Sequence, residues 1–229
     1  MLLYELHNAI SRTIGDPVEN TGSLFISGVR YSTRLRAQYI WQAMNDILTG
    51  AITRLASAPH VVQSEVLERL FPSMVQEFTS ALPVPADQIA FVLSAYYTIA
   101  GTLRVSLPVV KSHKAMQTGF GRNTGVQPSD PFIVQRNNNI IQVVGINQED
   151  ISATLVTVNA LRRPPHHEWF ANEANASEDT TEVFEGFWLP EVLRRASLMA
   201  QLDSGELGRT AEAYPLVAVP QFASLQGQS

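Results

Sequence analysis

The residues that could do chemistry in this 229-residue chain are few, and its five histidines come first. Only His166, His167 and Glu168 are clustered. Imidazole and carboxylate groups bind zinc and related ions, but adjacent residues on a helix or strand point in different directions. We therefore expect these side chains to diverge, within a polar loop that follows a strand, and we predict no metal site.

A glycine-rich stretch and the possible nucleophiles do not indicate phosphate binding or catalysis. Residues 119–125, GFGRNTG, lack the Lys and Ser or Thr that complete a phosphate-binding loop, and neither a buried strand nor a helix is predicted to flank them. The serines form no nucleophile elbow, and the chain contains no cysteine. Folding could still assemble a carboxylate pair for acid/base catalysis. We predict that the protein is not an enzyme and carries no cofactor.

Positive charge is concentrated at two places. Arg30, Arg34 and Arg36 lie near the start of a predicted long helix, and Arg162 and Arg163 follow a predicted strand. Such residues usually form a solvated rim; the alternative is contact with an acidic partner or with nucleic-acid phosphates. The net charge of −5 gives no global attraction to phosphates or anionic membranes, and no interleaved aromatic residues suit base stacking.

The longest predicted element is a helix over residues 32–56. Ser32 or Thr33 can cap its start, and Pro59 disfavours its continuation. Its apolar stripe has a fourth-residue spacing, formed by Leu35, Tyr39, Ala43, Ile47 and Ala51 and widened by Ile40, Met44, Leu48, Ile52 and Leu55. At about 1.5 Å per residue the helix would be roughly 37 Å long, more than a compact domain needs, so we expect part of it to serve a neighbour.

The remaining helices follow from the same apolar spacing. Further helices are predicted over residues 2–14, 61–70 and 190–202, with a short one after Ser204. In the helix over residues 61–70, Val62, Val66 and Leu70 are in line. The acids between residues 168 and 188, with no Lys or Arg among them, indicate an exposed connecting loop.

The middle of the chain is rich in β-branched and aromatic residues. Strands are predicted over residues 88–97, 102–107, 132–136, 140–144 and 152–161. Turns are expected at Ala100-Gly101 and at residues 137–139, where three asparagines tolerate positive φ angles. Residues 74–82 suit either a helix or a strand, and the tail from Pro215 onward has little to hold it in an isolated monomer.

These elements predict an α+β protein, a helical bundle with a long central helix, an inserted small antiparallel β unit, C-terminal helices and an extended tail. We divide it into residues 1–82, an N-terminal helical part, 83–165, the β unit, and 166–229, the acidic loop, C-terminal helices and tail, as one structural domain with an insertion. The composition, 45% hydrophobic and 16% charged, is typical of a globular protein. No apolar run is long enough to cross a bilayer.

The order of these motifs resembles the head-to-tail connector or adaptor (neck) proteins of tailed bacteriophages. Tyr31-Ser32 opens a helix that runs through LRAQYIWQAMNDIL, with Asn45 at the asparagine of the family's pattern. The later motifs, in chain order, are LP and PAD before a strand, DPFIV before the asparagine turn, SATLVTVNALRRP and LDSGE. The similarity covers most of residues 30–212. Thr33 replaces the usual acidic residue, and residues 60–82 are longer than the pattern, which leaves another neck or tail ring open.

The resemblance implies a structural virion protein that docks beneath the portal as a ring, commonly of twelve copies, and extends the DNA channel. The implied partners are the portal above, a tail or nozzle protein below, further copies of the chain, and DNA that passes without sequence recognition; no membrane is implied. The implied location is the neck or tail of the virion, assembled in the host cytoplasm. As inter-subunit or portal contacts we name Arg34, Tyr39, Trp41, Ile47, Leu48, Val217, Val219 and Phe222. As channel-lining residues we name Glu173, Glu178, Asp179, Glu182 and Glu185.

A non-enzymatic binding module is the competing interpretation. In it the β unit holds a ligand or carbohydrate, and the helices serve as a scaffold. Its recognition residues would be the aromatic side chains Trp169, Phe170, Phe187 and Trp188. Such side chains more often pin a loop to the protein's own core.

Overall fold

The computed structural model describes residues 1–15, 22–25, 31–80, 88–99, 103–111, 132–135, 141–144 and 155–203. Over these residues the chain is a mixed α+β fold with five α-helices, α1 Leu3–Thr13, α2 Thr33–Arg54, α3 His60–Leu70, α4 His167–Ala171 and α5 Leu189–Asp203. Its strands are β1 Val75–Ser80, β2 Ile89–Ile99, β3 Leu103–Leu107, β4 Val109–Lys111, β5 Phe132–Gln135, β6 Ile141–Val144 and β7 Leu155–Arg162. In these ranges no helix combines the length and the hydropathy that a bilayer crossing requires.

Helix α2 confirms the predicted long helix. Ser32 caps it, since its hydroxyl oxygen accepts a hydrogen bond from the Leu35 amide at 3.2 Å. The central part of the predicted stripe is buried in the chain's own core, at Tyr39, Ile40, Ala43, Met44, Ile47 and Leu48. Ala51, Ile52 and Leu55, beyond Gly50, are only half-buried. Most of the stripe therefore stabilises this chain's own fold.

The larger sheet has the strand order β1-β7-β2-β3, with every pair antiparallel. Residues 75–80 of the ambiguous stretch thus form a strand, β1, which lies before residue 83, where the predicted β unit begins. Strands β2 and β3 pair as the predicted hairpin, with Ala95 opposite Leu107. The turn predicted at Ala100-Gly101 falls outside the described residues.

A second, three-stranded sheet has the order β4-β5-β6. Strands β5 and β6 form the predicted antiparallel hairpin, but β4 pairs with β5 in parallel, with Val109 opposite Ile133, so the β structure is not purely antiparallel. The asparagine turn at residues 137–139, the short helix predicted after Ser204 and the tail predicted from Pro215 onward fall outside the described residues.

Two cores lie on opposite faces of the larger sheet. Strand β7 shows why, because its side chains alternate: Val156, Val158 and Ala160 belong to one core and Leu161 to the other. The core that contains Leu161 is formed with the helices, and the core that contains Val156 includes Ile133 of the smaller sheet. Helices therefore cover one face of the sheet.

Residues 168–188 are not the exposed loop that the sequence predicts. They form α4 and a series of 3₁₀ turns, and the side chains of Phe170 and Phe184 are fully buried. Their backbone pairs with the N-terminus, where Leu3 donates to the carbonyl of Glu178 at 3.0 Å. The acidic composition predicts exposure, but the buried aromatic side chains of this segment pack it against the core.

Candidate functional site

A cleft of about 560 Å³ opens where α2 meets one end of the larger sheet. Its lining includes two indole rings, two guanidinium groups and several amide side chains, which together can hold both an apolar and an anionic part of a ligand. Prominent members are Trp41 and Asn45 of α2, Gln76 of β1, Arg162, Arg163 and Trp169. Trp41, Trp169, Arg162 and Arg163 are residues that the sequence singles out, and the fold brings them together.

The two arginines lie where β7 ends, as predicted, and Pro164 follows them. The guanidinium of Arg162 donates to the carbonyl oxygen of Glu182, and that of Arg163 donates to the carbonyl oxygen of Ile89 at 3.2 Å. In the part of the chain that the structure describes, neither forms an ion pair with a carboxylate. Both positive charges are therefore available to an anionic partner.

His166, His167 and Glu168 converge, which makes the prediction of diverging side chains wrong. Their ligand atoms all lie within 4.8 Å of one another. The reason is that His166 is the N-cap of α4, with φ −55° and ψ 152°, whereas His167 is already helical. Neighbours on either side of such a change of backbone conformation follow neither the alternation of a strand nor the rotation of a helix.

Arg36 is a residue of α2 that the sequence predicts at a solvated rim, but it is fully buried where α2 faces α1. Its guanidinium donates to His7 Nδ1 at 3.4 Å, to the Ser11 hydroxyl at 3.1 Å and to the carbonyl oxygen of Leu24 at 3.1 Å. Every arginine N–H is a donor, so His7 Nδ1 is the acceptor. The other nitrogen, His7 Nε2, therefore carries the proton and donates to the carbonyl oxygen of Phe170 at 2.9 Å.

This network fixes the charge of His7. Burial, together with the positive charge of Arg36, lowers the pKa of His7 to about 3, so the ring is neutral at ordinary pH. The network joins α1, α2 and α4, and it is a structural group rather than an exposed site. Its members are far apart along the chain, so no local sequence pattern indicates the network.

The predicted contact residues on α2 fall into two groups. Tyr39, Ile47 and Leu48 are buried in the chain's own core, which accounts for their apolar character without a neighbour. Burial and a hydrogen bond to Asp203 raise the pKa of Tyr39, whose hydroxyl donates to that carboxylate. Arg34 is exposed, and Trp41 is half-buried in the wall of the cleft. Val217, Val219 and Phe222 lie outside the described residues.

Helix α3 turns Val61 and Val62 outward, and the line of Val62, Val66 and Leu70 does not form its buried face. Val61 is 76% exposed and Val62 is 45% exposed, whereas Gln63 and Leu67 are buried. Val66 and Leu70 are only half-buried. The helix therefore presents apolar side chains to solvent at its N-terminal turn.

Polar anchors explain this orientation of α3. The Gln63 amide donates to the carbonyl oxygens of Leu55 and Ala58, both at 2.6 Å, across the turn between α2 and α3. The His60 ring stacks on Phe91 of β2 with 5.3 Å between ring centroids, and the Ser64 hydroxyl donates to a β2 carbonyl at 2.9 Å. These bonds dock the polar edge of the helix on the sheet, because buried polar groups require partners that only this orientation supplies.

The acids predicted to line a channel include several that stabilise loops. The carboxylate of Glu173 accepts from the Leu24 amide at 3.2 Å, and that of Glu185 accepts from the Ser73 amide at 3.1 Å. Asp179 forms an ion pair with the N-terminal amino group at 3.2 Å. Exposed members of the set are Glu173, Glu178 and Glu182. Their place relative to a channel stays a prediction.

The four aromatic residues of the alternative binding module do not form one surface. Trp169 lines the cleft, whereas Phe170 is fully buried. The Trp188 indole donates to the Leu70 carbonyl at 3.2 Å and stacks on a core phenylalanine. Phe187 is 57% exposed. Trp41, which was not predicted as a ligand-binding residue, takes the second aromatic place in the cleft.

Sequence comparisons supply no family for the chain. No model of a known protein family matches it, and no relative is found among the curated proteins. What its surfaces can do follows from their own chemistry and from the order of the sequence motifs.

Proposed function

We propose that this chain is a structural virion protein, a head-to-tail adaptor that docks beneath a phage portal as a ring and extends the DNA channel toward the tail. The motif order along residues 30–212 motivates the proposal. The structural observation that carries it is the outward-facing apolar turn of α3, because a subunit of a ring needs an apolar surface that its own fold leaves open.

The valines of α3 suit a contact between subunits. Full burial of an exposed apolar side chain of this size contributes about 1.5 kcal/mol or more. At an interface Val61, which is 76% exposed, would contribute most of this amount, and Val62, which is 45% exposed, a smaller part. Glu65 and Arg69, one and two turns further along the same side, form an ion pair at 2.7 Å. An apolar centre beside a charged pair matches the usual arrangement of a protein interface.

The charges suit the other contacts of such a ring. Arg34 on α2 is exposed and can meet an acidic surface of the portal. The exposed carboxylates of Glu178 and Glu182, if they line the bore, would repel DNA and let it slide, which is the opposite of a phosphate-gripping site. A chain with a net charge of −5 is consistent with this arrangement.

A second candidate function is supported by the cleft. Its volume of about 560 Å³ falls within the roughly 300–1,000 Å³ of small-ligand sites. Trp41 and Trp169 can stack on the apolar face of a sugar, while the guanidinium groups of Arg162 and Arg163 pair with a carboxylate. A ligand-binding module would accordingly take an acidic sugar.

Association with a portal separates the two functions. The chain is mixed with the portal protein encoded in its own genome, and the mixture is examined by sedimentation and electron microscopy. The adaptor proposal predicts a ring of copies attached to the portal. A chain that stays monomeric with the portal, and binds an acidic sugar measured by calorimetry, would favour the binding module. The isolated mass alone does not decide, because adaptors of the family it resembles can stay monomeric until they dock.

A further inference from the structure

We propose that His166, His167 and Glu168 form a binding site for a divalent transition-metal ion of the Zn²⁺, Ni²⁺ and Cu²⁺ class at the edge of the cleft. Their ligand atoms lie within 4.8 Å of one another, two of them imidazole nitrogens and one a carboxylate oxygen. The proposed metal site does not depend on the ring proposed above and is tested separately.

One ligand separation is close to that around a coordinated ion, and no pair of ligand atoms is more than 4.8 Å apart. With metal–ligand bonds of about 2.0–2.2 Å, tetrahedral ligands lie roughly 3.4 Å apart. The distance from His166 Nδ1 to Glu168 Oε2 is 3.9 Å, so this pair has to approach by only about half an ångström. Both side chains are more than half exposed and can make this adjustment by small rotations.

The backbone of the triad is held in place before any ion binds. Pro164 and Pro165 precede it and restrict the chain. The Trp169 amide then donates to the carbonyl oxygen of His166 at 2.9 Å and closes the first turn of α4. An ion consequently has to order side chains only, which lowers the entropic cost of binding.

Trp41 supports both rings and supplies a probe of the site. Its ring centroid lies 5.9 Å from that of His166 and 6.1 Å from that of His167, while the two imidazoles are 4.0 Å apart. Packing against the indole restricts the orientation of the histidines. An ion bound by them would lie within a few ångströms of the indole, where Cu²⁺ quenches fluorescence.

The ligand set favours this class of ion. Imidazole binds zinc, nickel and copper, whereas Mg²⁺ and Ca²⁺ prefer oxygen ligands. Three protein ligands leave at least one position open for water or an anion. Arg162 and Arg163 line the same cleft as His166, so an anion in that position would have two further positive partners.

Calorimetric titration of the tag-free chain with Zn²⁺ tests the site. We expect one ion per chain, and binding that is weaker by about tenfold or more in His167→Ala and Glu168→Gln, as for the loss of groups around a metal. His113→Ala removes a histidine from another part of the sequence and should bind Zn²⁺ like the unchanged chain. Circular dichroism confirms that each variant is folded.

The fluorescence of Trp41 checks the position of the ion. Cu²⁺ should quench the unchanged chain, and Trp41→Phe should lose the share of that quenching that comes from Trp41, while Trp169 in the same cleft still reports the ion. Equal Zn²⁺ affinity in the unchanged chain and a His166→Ala/His167→Ala variant would overturn the proposal. A His113→Ala variant that loses binding as His167→Ala does would overturn it as well, because the ion would then be bound elsewhere.

Discussion

Helices α2 and α3 follow one another in the chain and were predicted by the same apolar spacing, yet they use their apolar residues in opposite ways. In α2 the central stripe, including Ile47 and Leu48, is buried in the chain's own core. In α3, Val61 and Val62 face solvent, and a buried glutamine, Gln63, docks the helix. An apolar stripe therefore identifies a surface that needs burial, but not which molecule supplies it.

The difference lies in the polar residues of each helix. The buried polar residues of α2, Thr33 and Arg36, lie near its start, so along its centre burial of the stripe decides the orientation of the helix. In α3, His60, Gln63 and Ser64 reach backbone carbonyls of β2 and of the preceding turn. Leaving such groups buried and unpaired would cost more than leaving two valines exposed.

Charge placed in the stripe of α2 should have the largest effect. Ile47→Asp with Leu48→Asp puts two unpaired carboxylates into a closed core, and we expect a loss of more than about 4 kcal/mol in the free energy of unfolding, which leaves the chain unfolded. Circular dichroism with urea titration measures this. Gln42→Asp, on the exposed side of the same helix, is the control. A double variant that folds and assembles normally would show that the buried face of α2 is wrongly assigned.

Removal of the buried guanidinium should have the next largest effect. Arg36→Ala removes the donor to His7 Nδ1, to the Ser11 hydroxyl and to the Leu24 carbonyl and leaves a cavity, and the expected loss is about 2–4 kcal/mol. Arg34→Ala, two residues away and exposed, should change stability by less than about 0.5 kcal/mol. Equal effects of the two substitutions in urea titrations would contradict the structural role of the network.

The same network predicts how stability depends on pH. The pKa of His7 is lowered to about 3 in the folded chain from 6.5, so the unfolded chain binds a proton more readily between these values. Stability from this group is present above pH 6.5 and is lost as the pH falls toward 3, by about 2–3 kcal/mol at pH 4.5. A His7→Gln variant should lose this part of the pH dependence, and an unchanged profile would argue against a neutral, buried ring.

A smaller effect is expected where the ends of two helices meet. Tyr39→Phe removes the hydrogen bond from α2 to the carboxylate of Asp203 at the end of α5. We expect a loss of about 1–2 kcal/mol, because a hydrogen bond to a charged group is lost while the ring still fills the core. Thermal unfolding measures the change. A variant as stable as the unchanged chain would show that this hydrogen bond does not stabilise the fold.

Much of the fold could be predicted from local patterns. The Ser32 cap and the spacing from Leu35 onward predict α2, and the β-branched content predicts β2, β3 and β7. These elements are determined by residues that are close together in the sequence, so local sequence patterns predict them. The strand β1 was ambiguous because its residues suit both structures until β7 pairs with it.

The rest depends on contacts between distant parts of the chain. Arg36 is buried because residues from α1, α4 and the segment at Leu24 surround it. The cleft brings Trp41 to Arg163, which are 122 positions apart in the numbering. The convergence of His166 with Glu168 depends on a helix cap that begins after two prolines, and composition does not show where such a cap falls.

The central claim is that α2 stabilises the chain and α3 joins it to its neighbours. Val61→Asp with Val62→Asp tests it most directly, since both side chains are exposed and the change in unfolding free energy should be below about 0.5 kcal/mol per site. A variant with the same added charge on α2, Thr49→Asp with Thr53→Asp, is the control. We predict that sedimentation with the portal shows no ring for the α3 variant and a normal ring for the control. A ring formed by the α3 variant would contradict the claim.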